Sequence, residues 1–298
     1  VRDVDRCEGD LRRNEEGTPM SGRGSSHGSI TVINAMPCGI GATIGVDLKT
    51  TATFSEKGDD RVVRINNDVS EDTNMARICV RRAYESADIE EPMGWDLATD
   101  SQIPVSRGLK SSSCACNAIL RAVFSHLDVE MDPVELIRLG VNCAREAKVT
   151  VTGSFDDACG CGLGGLVMTD NRKDEIIDRS DIGDYDVIIH VPTFKIRKTG
   201  LPLDRLREVA PLLQEAIGIT MRDPFKAMTM NGRIISEASG VDNSLAEKAL
   251  DMGALGAGMS GSGPAVAIVV PSGQGRSFAE EMGMSPEETI LTVTRCGE

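Results

Sequence analysis

The chain changes several times between two periods of apolar and polar residues. Runs of β-branched and apolar residues typical of strands occupy Ser29–Val32, Ile44–Phe54, Arg61–Ile65, Asp186–Val191, Ala265–Val270 and Ile290–Thr294. Apolar residues spaced three or four apart predict helices at Asn74–Ser86, about Ser112–Leu127, Pro133–Lys148, Leu203–Ile217, Asp223–Ser239 and Asn243–Met252. Strands and helices mixed in this order indicate an α+β fold.

The two ends of this pattern suggest how the chain is divided. Val1–Pro19 is rich in Arg, Asp and Glu and has no apolar periodicity, so we expect a disordered extension before a natural start at Met20. The strand at Asp186–Val191 is followed by Pro192, and we place a domain boundary there. The expected divisions are therefore 1–19, 20–185 and 186–298.

Composition narrows the class of protein. A chain of 298 residues can bury a substantial core in one large or two modest domains. It carries 46 acidic and 32 basic residues, so it has no basic excess with which to bind nucleic acid. The chain contains no run of about 18 apolar residues, so the sequence predicts no transmembrane helix. Nine cysteines without an N-terminal secretory pattern favour a reducing, cytoplasmic location.

A glycine and three hydroxyl residues stand directly before the helix predicted at about Ser112–Leu127. We call this segment the serine loop: Pro104, Val105, Ser106, Arg107, Gly108, Leu109, Lys110, Ser111, Ser112, Ser113 and Cys114. A loop that leads into a helix offers unpaired backbone N–H groups and the positive end of the helix dipole, which both favour bound phosphate. The hydroxyls can add donors to phosphate or a ligand to Mg²⁺. A serine-rich helix cap is the alternative interpretation.

Two further segments are rich in glycine. Gly256–Val266, the glycine loop, precedes an apolar strand, and its glycines permit positive φ and close approach to a ligand. A flexible connection is the alternative. Near the front, Gly22–Met36 combines glycine, serine and His27, and Gly39–Leu48 continues with more glycine.

In their order along the chain, these segments resemble the three motifs of the GHMP kinases. The second motif of that family reads P-x-x-x-G-L-x-S-S-A, and the residues in register with it are Pro104, Gly108, Leu109, Ser111 and Ser112. Lys110 stands where glycine is commonest. The form G-L-K-S-S-S, like the segment Gly39–Leu48, resembles the archaeal shikimate kinases of this family. The resemblance extends from about Ser21 to the C-terminus.

The resemblance implies a fold and an activity. The fold would have an N-terminal nucleotide-binding domain and a C-terminal ferredoxin-like α/β sandwich domain. The activity would be transfer of the γ-phosphoryl group of ATP to the 3-hydroxyl of shikimate, a step towards chorismate and the aromatic amino acids, with Mg²⁺ as cofactor. Homoserine or mevalonate kinase, and a catalytically silent nucleotide-binding sensor, are the alternatives. The oligomeric state stays open.

The resemblance also implies candidate catalytic residues. Family members with a catalytic aspartate carry it several residues before a Gly-Gly pair. By that spacing to Gly164-Gly165, Asp157 is the better match and Asp156 the second choice. Adjacent acids point in different directions, so one can face the site while the other caps a helix or binds Mg²⁺. In this family a basic residue of the first motif often assists the proton transfer or stabilises the transferring phosphoryl group. The resemblance puts His27 at that position. A surface or core histidine without a catalytic role is the alternative.

Binding residues are assigned in the same way. We expect the whole serine loop to contact the nucleotide, together with Gly258, Ser260 and Gly261 of the glycine loop. For the substrate we expect Arg23, Lys49 and Gly263; Arg107 and Lys110 are better placed cations, since both lie inside the serine loop. For Mg²⁺ we expect Ser112 and either Glu85 or Glu91.

Overall fold

The computed structural model describes residues 21–66, 72–104, 108–150, 153–192 and 202–297. The expected extension Val1–Pro19 lies outside these ranges. Three residues of the serine loop, Val105, Ser106 and Arg107, also lie outside them.

A six-stranded sheet is built from the first part of the chain. Its strands are β1 (Ser21–Ile33), β2 (Ile40–Glu56), β3 (Arg61–Ile65), β4 (Trp95–Ser101), β5 (Leu166–Asp170) and β6 (Glu175–Ser180). The order is β3-β4-β2-β5-β6, with β1 antiparallel to β2 along nearly its whole length. The long strand β2 pairs with β5 at its start and with β4 at its end, so it connects both sides of the sheet.

Four helices pack on this sheet: α1 (Asn74–Ser86), α2 (Ser111–Leu127), α3 (Pro133–Glu146) and α4 (Phe155–Leu163). Phe54 of β2 lies in the core beneath them, with its ring centroid 6.1 Å from that of Tyr84 and 5.8 Å from that of Trp95. Both partner side chains are almost fully buried. The apolar periodicity that predicted α1 therefore corresponds to the face that packs on this core.

Helix α2 runs unusually close to β1. A Cβ atom at Gly22 would overlap backbone at Ala122, and one at Gly24 would overlap backbone at Ala118. These glycines of the first motif thus allow a close helix–strand contact. Gly22 contacts Ala122 and Gly24 contacts Ala118, so β1 and α2 run in opposite directions. The start of α2 therefore lies over the C-terminal end of β1, near Thr31.

A four-stranded antiparallel sheet follows, formed by β7 (Tyr185–His190), β8 (Gly256–Met259), β9 (Val266–Pro271) and β10 (Thr289–Val293) in the order β10-β7-β9-β8. Its helices are α5 (Leu203–Glu208), α6 (Gln214–Ile219), α7 (Pro224–Ser239), α8 (Ser244–Asp251) and α9 (Gly275–Glu281). The single helix expected at Leu203–Ile217 is instead broken by a 3₁₀ turn that contains Pro211. Proline removes a backbone donor, which explains the break.

The two sheets are joined where β1 ends. The Asn34 N–H donates to the Asn231 Oδ1 of α7 at 2.9 Å, and Gly232 of the same helix packs against Gly258 of β8. The loops after β1 and β8 are therefore brought together. The α+β prediction is confirmed. Within the described ranges no helix is long and apolar enough to cross a membrane.

Candidate active site

The serine loop and the glycine loop interlock. Gly108 has φ +83°, and a Cβ atom there would overlap the carbonyl oxygen of Ser260. The Ser260 hydroxyl in turn donates to the Gly108 carbonyl at 3.1 Å. Glycine is needed at this position both for its backbone conformation and for space. The second loop thus supports the first from behind.

The serine loop ends in an open helix start. Lys110 takes the left-handed conformation, with φ +65°, and its side chain does not cap α2. The first backbone bond into the helix is donated by the Cys114 N–H to the Lys110 carbonyl, 3.0 Å away. In the described part of the chain, the half-buried hydroxyls of Ser111, Ser112 and Ser113 have no hydrogen-bond partner. This turn therefore presents three backbone N–H groups and three hydroxyls to a ligand.

A lysine connects the helix start to an aspartate. The Lys110 Nζ lies 2.6 Å from Asp157 Oδ1 and donates to the Thr31 hydroxyl oxygen at 2.7 Å. The Gly261 N–H donates to the same Thr31 oxygen at 2.8 Å, and the Asn34 side-chain amide donates to the Gly261 carbonyl at 2.8 Å. Segments far apart in sequence therefore meet at one ammonium group.

The second aspartate is held differently. Asp156 is 4% exposed, and its Oδ1 accepts from the Asn171 side-chain amide at 2.6 Å. A Cβ atom at Gly41 would overlap its Oδ2, so this carboxyl lies against β2. Burial, and then the charge of Asp157, raise the pKa of Asp156 to about 7, although Lys110 and the Asn171 hydrogen bond oppose the rise.

Comparison with known protein families supports this arrangement. A model of the GHMP kinase N-terminal domain matches residues 74–165, and one of the GHMP kinase C-terminal domain matches residues 211–283. A curated shikimate kinase from Methanosarcina acetivorans is 37% identical over 258 residues, which cover 86% of this chain and 87% of that protein. The chain belongs to the GHMP kinase family. A second curated shikimate kinase, from Methanobrevibacter smithii, is 35% identical over 248 residues, 80% of this chain and 84% of that protein.

Solved structures show the same fold at low identity. The mevalonate kinase of Methanococcus jannaschii aligns with a TM-score of 0.72 at 17% identity, covering 93% of this chain and 98% of that chain. The homoserine kinase of Cytophaga hutchinsonii aligns with a TM-score of 0.69 at 18% identity, covering 93% of this chain and 95% of that chain. The expected two-domain GHMP kinase fold is confirmed.

The basic residue beside the aspartate is not the one expected in this GHMP kinase. The His27 Nε2 lies 3.7 Å from Asp47 Oδ1, on a part of β1 four residues before Thr31. Four strand residues span roughly 13 Å, so His27 is too far along β1 to reach Asp157. Lys110, from the second motif, occupies the place assigned to His27. The structure does not bring His27 beside Asp157, because β1 carries it towards the other end of the strand, and its catalytic role stays a prediction.

The two exposed cations expected to bind substrate lie on the same remote part of the sheet. Arg23 stands eight residues before Thr31 on β1, roughly 26 Å along a strand. Lys49 pairs with His27 across the sheet. Neither side chain reaches the Lys110–Asp157 pair, because extended strands carry them away from it. Their assignment as substrate ligands stays a prediction that the position of this pair does not favour.

The acids expected to bind Mg²⁺ are engaged in ion pairs. Glu85, at the end of α1, pairs with Arg81 and Arg82, which also bind Glu146 of α3. Glu91 accepts from the Trp95 indole at 3.0 Å and pairs with Arg61. The arginines that bind Glu85 connect α1 to α3, and Glu91 connects the segment before β4 to Arg61 of β3. Both acids therefore lie away from the serine loop and the glycine loop. Ser112 is the candidate Mg²⁺ ligand that stays at the helix start.

Within the two loops the expected residues divide by position. Ser260, Gly261 and Gly263 lie in the turn after β8 and face Gly108. Gly258 instead lies within β8 and packs on α7, while the Leu109 and Cys114 side chains point into the core. All three residues are packed inside the protein, and their contact with the nucleotide stays a prediction. Pro104 is half-buried at the entrance to the loop.

Three residues at the site went unnoticed in the sequence: Thr31, Asn34 and Asn171. All three are buried polar residues. Thr31 and Asn34 bond to Gly261, more than two hundred positions away, and Asn171 bonds to Asp156 on another element. Buried polar side chains of this kind are hydrogen-bonded, but the sequence alone does not identify the partner.

Proposed function

We propose that this chain is a shikimate kinase, which transfers the γ-phosphoryl group of ATP to the 3-hydroxyl of shikimate. The observation that carries the proposal is the Asp157 carboxylate paired with Lys110 beside the open start of α2. Support for the substrate comes from curated archaeal shikimate kinases that are 33–37% identical over most of the chain. The mevalonate kinase and homoserine kinase structures are only 17% and 18% identical to this chain and support the fold alone.

The nucleotide phosphates would bind at the serine loop. Backbone N–H groups at the first turn of α2, with the positive end of its dipole, favour an anion. The hydroxyls of Ser111, Ser112 and Ser113 can donate to phosphate oxygens. Gly261 and Gly263 come close to Gly108, so the glycine loop would close this cradle from the other side.

The helix start also fits Mg²⁺. The Ser112 hydroxyl is a neutral oxygen ligand without a partner in the described structure, and Mg²⁺ commonly takes few protein ligands besides phosphates and water. No cluster of three or more His, Cys, Asp or Glu able to hold a metal occurs among the described residues. Bound there, Mg²⁺ would neutralise charge on the ATP phosphates.

The proposed reaction uses Asp157 as the base. The 3-hydroxyl oxygen of shikimate attacks the γ-phosphorus, the bond to the β-phosphate oxygen breaks, and ADP leaves with that electron pair. Asp157 accepts the hydroxyl proton. Lys110 keeps the carboxylate oriented, and its charge favours the negative phosphoryl group beside it. Asp156 is buried between Asn171 and Gly41, so the proposal gives it no contact with the substrate.

The proposal also covers the location of the protein and its partners. The eight cysteines in the described ranges are all free thiols, in keeping with a reducing, cytoplasmic location. The proposed partner is a small molecule, with neither nucleic acid nor a membrane required. A silent nucleotide-binding sensor is the rival from another class, and it would not need the base Asp157.

An ADP-release assay tests the function. The purified chain is given ATP with shikimate, homoserine, mevalonate or galactose, each with Mg²⁺ and with excess chelator. We expect release that depends on shikimate and Mg²⁺, with homoserine and mevalonate at least about tenfold poorer in kcat/KM, a difference of ~1.4 kcal/mol. A preference for homoserine or mevalonate would overturn shikimate as the substrate, while the assignment as a kinase would stand. ATP binding without turnover of any alcohol would favour the sensor.

A further inference from the structure

A buried asparagine connects the end of β5 to the first turn of α4, the helix that carries Asp156 and Asp157. Asn171 is 2% exposed and follows β5 directly; its backbone N–H donates to the Gly39 carbonyl at 2.8 Å. Its Oδ1 accepts from the Thr169 hydroxyl at 2.8 Å and from the Asp156 N–H at 3.0 Å. A backbone N–H can only donate, so Oδ1 must face it. The Nδ2 group is thereby directed at the Asp156 carboxyl.

Helix α4 lacks a cap of its own. Its N-cap residue Ser154 is in the left-handed conformation and makes no capping hydrogen bond; the Ser154 hydroxyl pairs with Thr150 instead. The Asp156 N–H is one of the donors that a helix start leaves unsatisfied. Asn171 supplies its acceptor from another element. One side chain therefore both caps the helix and binds the carboxyl of its first turn.

The orientation of Asp156 determines where Asp157 points. The Asp156 carboxyl is confined between the Asn171 amide and Gly41, where even a Cβ atom would overlap it. Adjacent residues in a helix project about 100° apart, so holding the Asp156 backbone N–H and carboxyl in place sets the direction in which the Asp157 Cα–Cβ bond leaves the first turn. Asp157 is left facing Lys110.

We propose that Asn171 is a positioning residue for the reaction: it sets the orientation of Asp156 and, through the first turn of α4, that of Asp157. The proposal rests on the proposed function for its effect on turnover, but its effect on Asp156 does not.

After burial, two charged groups have the largest effects on the pKa of Asp156: Asp157 from α4 and Lys110 from the start of α2. Its other contacts are the uncharged Gly41 and Thr43 of β2 and Asn171 directly after β5. One turn further on, the Cys159 thiol has its pKa raised by burial and by the Asp156 charge, so it stays neutral. The Asn171 hydrogen bond lowers the pKa of Asp156. Loss of that donor is therefore expected to raise it.

Two substitutions separate the roles of Asn171. Asn171→Asp keeps an acceptor for the Asp156 N–H but replaces the donor by an oxygen, whereas Asn171→Ala removes both. The matched control is Asn117→Ala: Asn117 is fully buried and donates to α4 at the Ala158 carbonyl, 3.0 Å away, with no bond to either carboxyl. Chemical unfolding, kcat, both KM values, their pH dependence and the ¹³C carboxyl titration of Asp156 are measured for all four proteins.

We expect both Asn171 variants to lose roughly ten- to a hundredfold in kcat, with KM for ATP and shikimate changed less than about threefold. The Asp156 titration should move to higher pH in both, because the hydrogen bond from the amide is lost and, in Asn171→Asp, a second carboxyl is added beside it. Asn117→Ala should lose stability, while its kcat and its Asp156 titration stay as in the wild type.

Unchanged kcat and titration in Asn171→Asp would overturn the proposal, as would equal kcat losses in Asn171→Ala and Asn117→Ala. If the wild type turns over no shikimate, the proposed function fails, while the titration still decides whether Asn171 controls Asp156.

Discussion

Lys110 and Asp157 form a 2.6 Å ion pair in which the lysine side chain is only 4% exposed. A buried pair of this kind contributes little net stability by itself, but removal of one partner leaves a charge without compensation. The pair also lies beside the helix start that offers donors to phosphate. Its geometry therefore connects the charge of the proposed base to the proposed site of phosphoryl transfer.

Asp157→Asn removes the proposed base. We expect turnover to fall by roughly 10²–10⁴ while ATP affinity is nearly unchanged, because the serine loop is intact. Steady-state kinetics with shikimate and ATP-binding calorimetry measure the two effects. Asp156→Asn is the comparison: it changes the neighbouring acid, which faces Asn171 and not Lys110. A larger loss in Asp156→Asn than in Asp157→Asn would exchange the roles of the two acids.

Lys110→Met tests the charge of the pair. The side chain keeps its length but loses its ammonium group, so Asp157 loses its orienting partner and Thr31 loses a donor. We expect turnover to fall roughly 10²–10³-fold and unfolding free energy to drop by about 3 kcal/mol. Because the two residues act together, the double variant Lys110→Met/Asp157→Asn should lose much less than the sum of both losses. Additive losses in turnover would mean that they act independently.

Much of the fold was predictable, because local patterns determine it. Asn74–Ser86 and Arg61–Ile65 have in the structure the bounds that apolar periodicity predicted. Trp95–Ser101 was missed because acids and hydroxyls alternate there with only a few apolar residues, although its inward positions are buried. Proline broke one expected helix at Pro211.

The site was predictable in its segments but not in its pairings. The resemblance selected the serine loop and the two acids, which lie together in the structure. It placed the basic partner at His27, and the packing of α2 on β1 placed Lys110 there instead. Which side chain reaches a carboxylate depends on long-range packing, so neither spacing nor residue type could decide between them. The same holds for Glu85, whose partners on α1 and α3 keep it elsewhere.

The serine loop should be sensitive to a single methyl group at Gly108. Gly108→Ala is expected to disturb the loop and weaken ATP binding at least tenfold, about 1.4 kcal/mol, because its Cβ atom overlaps the Ser260 carbonyl. Gly273→Ala is the matched control, since Gly273 has the same φ of +83° and open space around it. ATP binding measured by calorimetry should distinguish them. Equal effects would assign the cost to backbone strain and not to the contact with Ser260.

The Ser112 hydroxyl should matter for Mg²⁺. Ser112→Ala removes an oxygen ligand or phosphate donor, so the Mg²⁺ concentration needed for half-maximal turnover should rise several-fold. Ser86→Ala is the control, because the Ser86 hydroxyl bonds only its own helix, at Ala83. Titration of turnover with Mg²⁺ at saturating ATP measures the shift. An unchanged Mg²⁺ requirement in Ser112→Ala would place the cation on other ligands.

The Asp156 carboxyl should make stability depend on pH. Its pKa is about 7 in the folded protein, whereas an unfolded aspartate titrates near 3.9, so the folded state binds more protons between these values. Stability from this group is therefore complete below about pH 4 and is lost as pH rises through about 7. Asp156→Asn removes the titration but keeps the shape. Relative to that variant, the wild type should lose a few kcal/mol of unfolding free energy between pH 4 and pH 8, as measured by urea unfolding at each pH. Parallel pH profiles for the two proteins would mean that Asp156 is ionised in the folded state at all these pH values.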